Sequence, residues 1–214
     1  SEVTGRNRRS AAPRDNGGRD LVQDYEESRV RKLAAALQKQ GVPADVRERI
    51  LEGGIEVRGG CSKEERAAWL FGAMERMDRE LDFETRRAVR ERCACCLGGK
   101  RATISRAIAR DNETLGERVR AANEARFVFG HSVTEVEDGM VLVQFFPDGL
   151  MAYDCPCLPL LTQPISITYC YCCAGHVKRH IQMALGRKVE VRVASSALSS
   201  GGSEPCRFLC RLLT

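Results

Sequence analysis

The run ISITYCYCCAGHVKRHIQMALGRKVEVRV, Ile165–Val193, decides the architecture. Its opening, Ile165–Cys172, is rich in Ile, Thr and Tyr and alternates, which predicts a strand. Ala174, Val177, Ile181 and Ala184 then recur at helical spacing over Ala174–Leu185, and Gly186 stands where a helix ends. Val189, Val191 and Val193 alternate with Glu190 and Arg192, the pattern of a strand with one buried face. Working outward, Ser132–Val136 and Met140–Phe146 also alternate and are joined by Glu137-Asp-Gly, a hairpin signal. Arg207–Leu213 reads as the last strand. There Cys206, Phe208, Cys210 and Leu212 share a face, and Arg207 and Arg211 point away, so these two cysteines are expected in the core.

Residues 21–125 carry the helical period instead. Tyr25–Gln40 places Val30, Leu33, Ala34 and Leu37 on one face and stops at Gly41-Val-Pro. Asp45 suits the N-cap of a short helix ending at Gly53-Gly54. Ser62 and Glu65 form a capping box that opens a helix through Met77. Asp82–Arg92 is the next, with Gly98-Gly99 as its stop, and shorter helices fit 103–110 and 113–125. The expected fold is α+β: a helical N-terminal half followed by a mainly antiparallel sheet with a packed helix. The expected organisation is a flexible basic tail (1–20), a helical region (21–125) and a cysteine-rich α+β domain (126–214).

Of the net charge of +5, residues 1–19 supply much, with five arginines against Glu2 and Asp15. That segment is a solvated tail by composition, and no groove-reading motif follows it, so nucleic acid is not the expected partner. No apolar run reaches the ~20 residues of a membrane span. Basic residues near the start have no apolar stretch behind them, so the expected location is the cytoplasm.

The chain has 11 cysteines, and most of them cluster: Cys93, Cys95 and Cys96; Cys155 and Cys157; Cys170, Cys172 and Cys173. An odd count without a secretory signal argues against a disulfide framework. Soft thiolates in such groups suit zinc, with an iron–sulfur cluster as the alternative, and small buried hydrophobes are the competing reading. If Ile165–Cys172 is a strand, Cys170 and Cys172 share a side, at the start of a helix whose dipole favours thiolate. With the Cys155-Pro-Cys157 pair from the preceding proline-rich loop they make a closed Cys₄ site, so Cys155, Cys157, Cys170 and Cys172 are the expected ligands. Alternates are Cys173, His176, Cys93 and Cys96. His176 and His180 stand about 100° from the buried row of their helix.

The succession Tyr169-Cys-Tyr-Cys-Cys-Ala-Gly-His-Val-Lys, a helix to Gly186, Lys188-Val-Glu-Val, a Gly-rich turn and Cys206-Arg-Phe resembles the 4-vinyl-reductase-like small-molecule-binding domains. It also resembles the related L-2-amino-thiazoline-4-carboxylic acid hydrolase-like proteins. The resemblance covers roughly residues 126–214 and implies an α+β ligand-binding fold, in some members with cysteine-bound metal. Its usual acidic turn residue is replaced here by Gly201-Gly-Ser-Glu-Pro. The expected function is therefore a metal-binding, small-molecule-binding or sensor protein with a mainly structural cysteine site. One alternative is a hydrolase of a small amino-acid-like substrate, using zinc-bound water or Cys173 as nucleophile. The other is a thiol redox sensor.

Overall fold

The computed structural model describes residues 21–149, 155, 158 and 163–213. The tail expected over 1–20 and the proposed ligand Cys157 lie outside them. The described residues form eight α-helices and four strands: α1 (Ser28–Lys39), α2 (Ala44–Ile50), α3 (Lys63–Glu80), α4 (Phe83–Arg92), α5 (Gly99–Asp111), α6 (Leu115–Glu124), α7 (Arg126–Phe129), β1 (Ser132–Val136), β2 (Met140–Gln144), α8 (Tyr171–Leu185), β3 (Val189–Ser195) and β4 (Arg207–Leu212). The chain is α+β, with helices first and an antiparallel sheet after them, as the periodicities imply.

The sheet has the order β1-β2-β4-β3, so the last strand of the chain is inserted between β2 and β3. Register lines up Val133, Val143, Phe208 and Val193 in one row across all four strands, with Val141, Cys210 and Val191 in the next. These side chains are buried. They form the inner face against which α8 packs its own buried stripe of Val177, Ile181, Ala184 and Leu185. Cys210 is fully buried and its thiol is pushed up to about 12 by desolvation. Cys206 precedes the strand and is buried too, its sulfur accepting from the Ala197 N–H at 3.4 Å.

Local chemistry explains the helix starts. Ser62 Oγ accepts from Glu65 N at 3.1 Å while Glu65 returns to Ser62 N at 2.7 Å, so the capping box holds both ends of α3's first turn. Thr114 and Glu117 repeat the device at α6. Ser62→Ala should cost about 1 kcal/mol in urea unfolding, the usual worth of such a cap. Asp45 is not a cap: Pro43 holds that position and Asp45 lies in the first turn of α2. Glycines 98 and 99 do not end α4 either. Cys93 caps it, and Gly98 instead begins α5.

The largest difference from expectation is at Ile165–Cys172, which is not a strand. Ile167–Cys170 is a 3-10 turn running directly into α8. Ser166 Oγ accepts from Thr168 N and starts the turn. Thr168 Oγ1 donates to Asp78 at 2.6 Å, and the Tyr169 carbonyl accepts from Arg90 Nη2 at 3.0 Å. Arg90 of α4 thus takes a backbone carbonyl that a strand would have given to a neighbour, and Asp78 of α3 fixes the Thr168 side chain.

One continuous buried cluster runs from Leu33, Met74 and Met77 in the helical half to Ile181 and Phe208 in the sheet half. The halves approach closely where α8 crosses α4. A Cβ built on Gly175 would stand 2.3 Å from the Glu91 carbonyl oxygen and 2.9 Å from the Ala94 Cβ. This crossing brings the Cys93–Cys96 segment beside the first turn of α8.

Candidate functional site

Three cysteine groups far apart in sequence meet at one place. A cavity of about 210 Å³ is lined by Cys95 and Cys96 from the α4–α5 connection, Cys155, and Cys172, Cys173 and His176 from α8. Phe127, Phe145 and Arg101 complete much of its wall. The ten described cysteines form no disulfide among themselves. Among the described residues no group of three or more His, Cys, Asp or Glu side chains is arranged to hold a metal ion.

The expected ligands therefore separate. Cys155 and Cys172 line the cavity. Cys170 does not, because residues two apart on a helical turn point about 200° apart rather than to one side. Its sulfur lies 2.8 Å from Ser196 Oγ. Burial pushes its thiol up to about 12, against the opposing effect of the Ser196 hydrogen bond. Of the alternates, Cys173, His176 and Cys96 line the cavity, and Cys93 is buried beside it. Cys95, which is not among the expected ligands or alternates, also lines the cavity, because the helix ends at Arg92 and the next residues are irregular. Cys96 has φ of +59°, the one left-handed non-glycine backbone among the described residues. Such a conformation costs on the order of 1–3 kcal/mol and recurs at functional sites.

Cys172 stands in the first turn of α8, where the helix dipole favours an anion. Its thiol is held down to about 6. The Cys173 side chain bonds it, burial opposes, and the guanidiniums of Arg90 and Arg29 and the Cys173 backbone N–H add to the lowering. Cys93 behaves oppositely: desolvation dominates and raises it.

The histidines are engaged. His176 Nδ1 lies 3.3 Å from the Cys95 carbonyl and Nε2 3.1 Å from that of Val128. A neutral ring can donate to only one of them. Burial lowers its pKa, and the two carbonyls only partly offset this. His180 is fully buried, with Nδ1 2.9 Å from Ser105 Oγ and Nε2 2.9 Å from the Cys96 carbonyl. It braces the strained Cys96 backbone from below rather than facing the cavity lining itself.

A second cavity, of about 200 Å³, lies on the other side of Cys172 and Cys95, which line both. Sequence reading missed its main feature, the guanidinium of Arg90. Arg90 is 4% exposed, donates to the Tyr169 carbonyl and lies over the Tyr169 ring, 4.7 Å from its centroid. The signal was present: Arg90 falls between Val89 and Cys93 in the stripe that α4 buries, where an arginine is out of place.

Residues 30–208 match a family of unknown function (DUF6144), and the chain belongs to that family. No curated protein and no solved structure matches the chain. No helix of the described residues is long and apolar enough to cross a membrane.

Proposed function

We propose that this member of the DUF6144 family is a small-molecule-binding protein whose cysteine-lined cavity loads a thiophilic metal ion, zinc in the first instance. The observation that supports this is the convergence of Cys95, Cys96, Cys155, Cys172 and Cys173 on one cavity from three separate stretches of chain. A donor set of thiols suits zinc, which takes four tetrahedral ligands at about 2.3 Å. Loading requires the Cys95–Cys96 segment and the Cys155 turn to close onto Cys172. Binding then ties the α4–α5 connection and the segment before α8 to the first turn of that helix, and its free energy adds to folding. The small-molecule part of the reading draws on the resemblance of residues 126–214 to 4-vinyl-reductase-like domains.

The test is metal content and thermal unfolding of protein purified without added metal, for the parent and three variants. Cys155→Ser and Cys172→Ser should lose zinc and melt earlier. Cys206→Ala should keep its zinc and lose only a packing contribution, on the order of 1–2 kcal/mol. Full zinc in Cys155→Ser and Cys172→Ser would remove them from the site.

The placement of Cys172 favours one other reading, a thiol redox site, because a thiolate beside two guanidiniums is poised for oxidation. It predicts metal-free protein in which hydrogen peroxide modifies Cys172 ahead of Cys61. A cysteine hydrolase is supported less, since both His176 nitrogens face carbonyl oxygens and no carboxylate lines the cavity among the described residues.

A further inference from the structure

We propose that the second cavity is a binding site for a small organic carboxylate, held by the guanidinium groups of Arg90 and Arg29 with its body against Leu70 and Tyr169. The inference names a ligand class for the small-molecule reading and rests on that reading alone, not on the metal.

Three cations line this cavity, Arg29 and Lys32 from α1 and Arg90 from α4, and no carboxylate does among the described residues. The nearby acids are used elsewhere. Glu27 caps α1 through the N–H groups of Arg29 and Val30 and pairs with Arg66 at 2.9 Å. Glu26 pairs with Arg58 at 3.0 Å. Lys32 Nζ donates to the Ala94 carbonyl, which satisfies a donor and leaves the charge. The cationic charge of this wall is not met by any carboxylate among the described residues that line it.

The donors are unfilled as well as the charge. Arg90 Nε and Arg29 Nη1 are both buried and neither has a hydrogen-bond partner among the described residues. A guanidinium N–H shut away from water without an acceptor costs about 1–3 kcal/mol or more, so a side chain this buried is expected to have one. Arg90 is anchored by the Tyr169 carbonyl, stacked on the Tyr169 ring and in contact with the Cys93 thiol, and its Nε is the buried donor with no partner among the described residues. A planar carboxylate accepts from two such forks in a fixed geometry, which a spherical halide does not. The cavity, about 200 Å³ against the ~30 Å³ share of one water, exceeds what a bare anion fills. Its Leu70 and Tyr169 wall favours an organic anion over inorganic phosphate. Such a carboxylate would sit within reach of the Cys172 sulfur, which lines the same space.

Two alkylating reagents of nearly equal size test this, iodoacetate with a carboxylate and iodoacetamide without. In both, the Cys172 thiolate displaces iodide and forms an S–CH₂ bond. The full chain, stripped of metal by a chelator, is labelled with each at fixed ionic strength, and labelling at Cys172 and Cys61 is followed by peptide mass spectrometry. Cys61 lies outside the cavity and corrects for reagent reactivity and general attraction to a cationic protein. The iodoacetate-to-iodoacetamide rate ratio at Cys172 should exceed that at Cys61 at least tenfold. Propionate should slow the iodoacetate reaction there, and inorganic phosphate at the same ionic strength should not. Arg29→Gln, at a half-buried position that the fold tolerates more readily than loss of Arg90, should bring the ratio down to that of Cys61. Equal ratios at the two cysteines, a ratio unmoved by Arg29→Gln, or no labelling of Cys172 by iodoacetate would each overturn the proposal. Protection by phosphate equal to that by propionate would overturn its carboxylate selectivity. Zinc content is measured separately, so failure here leaves the metal reading standing and the reverse.

Discussion

Gly175→Ala should destabilise the protein by about 1–3 kcal/mol, although the same change in an open helix position does the opposite. Two effects compete. Alanine is the better helix former by about 1 kcal/mol, which favours the variant. Against that, the new methyl group would lie 2.3 Å from a backbone oxygen, that of Glu91, and 2.9 Å from the Ala94 Cβ. A backbone atom cannot swing aside as a long side chain can, so α4 has to move off α8, and overpacking of this kind costs about 1–3 kcal/mol and occasionally more. The Lys178–Glu91 ion pair, 2.9 Å long and spanning the same crossing, would be stretched. Gly116 in α6 is the control, since nothing lies within 4 Å of its added Cβ. Gly116→Ala should be neutral or stabilise by up to about 1 kcal/mol. Urea unfolding of both variants beside the parent decides it. A Gly175→Ala protein as stable as the parent would mean that α4 and α8 do not cross this closely. If zinc binds as proposed, the same variant should hold less of it, because the crossing sets the Cys95–Cys96 segment beside Cys172.

Gly175 also shows where sequence reading stops. A glycine inside Ala174–Leu185 costs the helix propensity and gives no hint, in one sequence, of the helix that lies against it. The elements that could be read were those whose cause is local. The Ser62–Glu65 box, the stop at Gly186 and the alternation of Val189, Val191 and Val193 each follow from residues a few positions apart, and each is where it was expected. Ile165–Cys172 failed because its alternation is real but its polar groups find distant partners on α3 and α4, Asp78 for the Thr168 hydroxyl and Arg90 for the Tyr169 carbonyl. The site divided in the same way. Cysteine clustering pointed to Cys155, Cys172 and Cys173, and composition alone sufficed for that. The strand assignment then carried Cys170 into the ligand set, and the helical turn takes it out of the cavity. Arg90 was overlooked because charged residues on a helix are usually solvated, and its exception depends on Tyr169, far along the chain.

The two cavities share one wall, and this gives the arrangement its chemical sense. Cys172 shares one cavity with four other cysteines and the other with a guanidinium pair. The guanidiniums that lower its pKa are the same groups in which Arg90 Nε and Arg29 Nη1 have no hydrogen-bond partner among the described residues. A carboxylate arriving there would weaken the positive field at the sulfur and raise its proton affinity. If the proposed carboxylate and metal both bind, the two cavities are coupled through Cys172, and by linkage the coupling works in both directions.

Acid should destabilise the protein well above the carboxylate range, and His180→Gln should remove much of that sensitivity. The His180 imidazole is fully buried, and desolvation is the main cause holding its pKa below 6.5; the neighbouring His176, Arg101 and Arg179 add to the lowering, and only the Cys96 carbonyl opposes. The folded state therefore prefers the neutral ring, and the unfolded chain takes up the proton first. For a group with a depressed folded pKa the stability contribution is present above the unfolded pKa, near 6.5, and is lost as pH falls through that value toward the folded one. His176 shifts in the same direction, also by burial. Each proton taken up on unfolding steepens the fall by up to about 1.4 kcal/mol per pH unit. Cys172 has the same sign but an earlier window, from its unfolded value of 9.0 down to about 6, so its contribution is mostly spent before pH 6. Between pH 6.5 and 5 the histidines dominate, because Asp and Glu titrate lower. In His180→Gln the side-chain amide can still donate to the Cys96 carbonyl, and no proton is gained. Urea unfolding at pH 7.5, 6.5, 5.75 and 5.0 should give a stability curve that drops steeply below 6.5 in the parent and more gently in the variant. The variant will start lower at pH 7.5, having lost the Ser105 contact and some packing, so the slopes and not the absolute stabilities are compared. Parallel curves for the two proteins would show that His180 is not the buried neutral group described here.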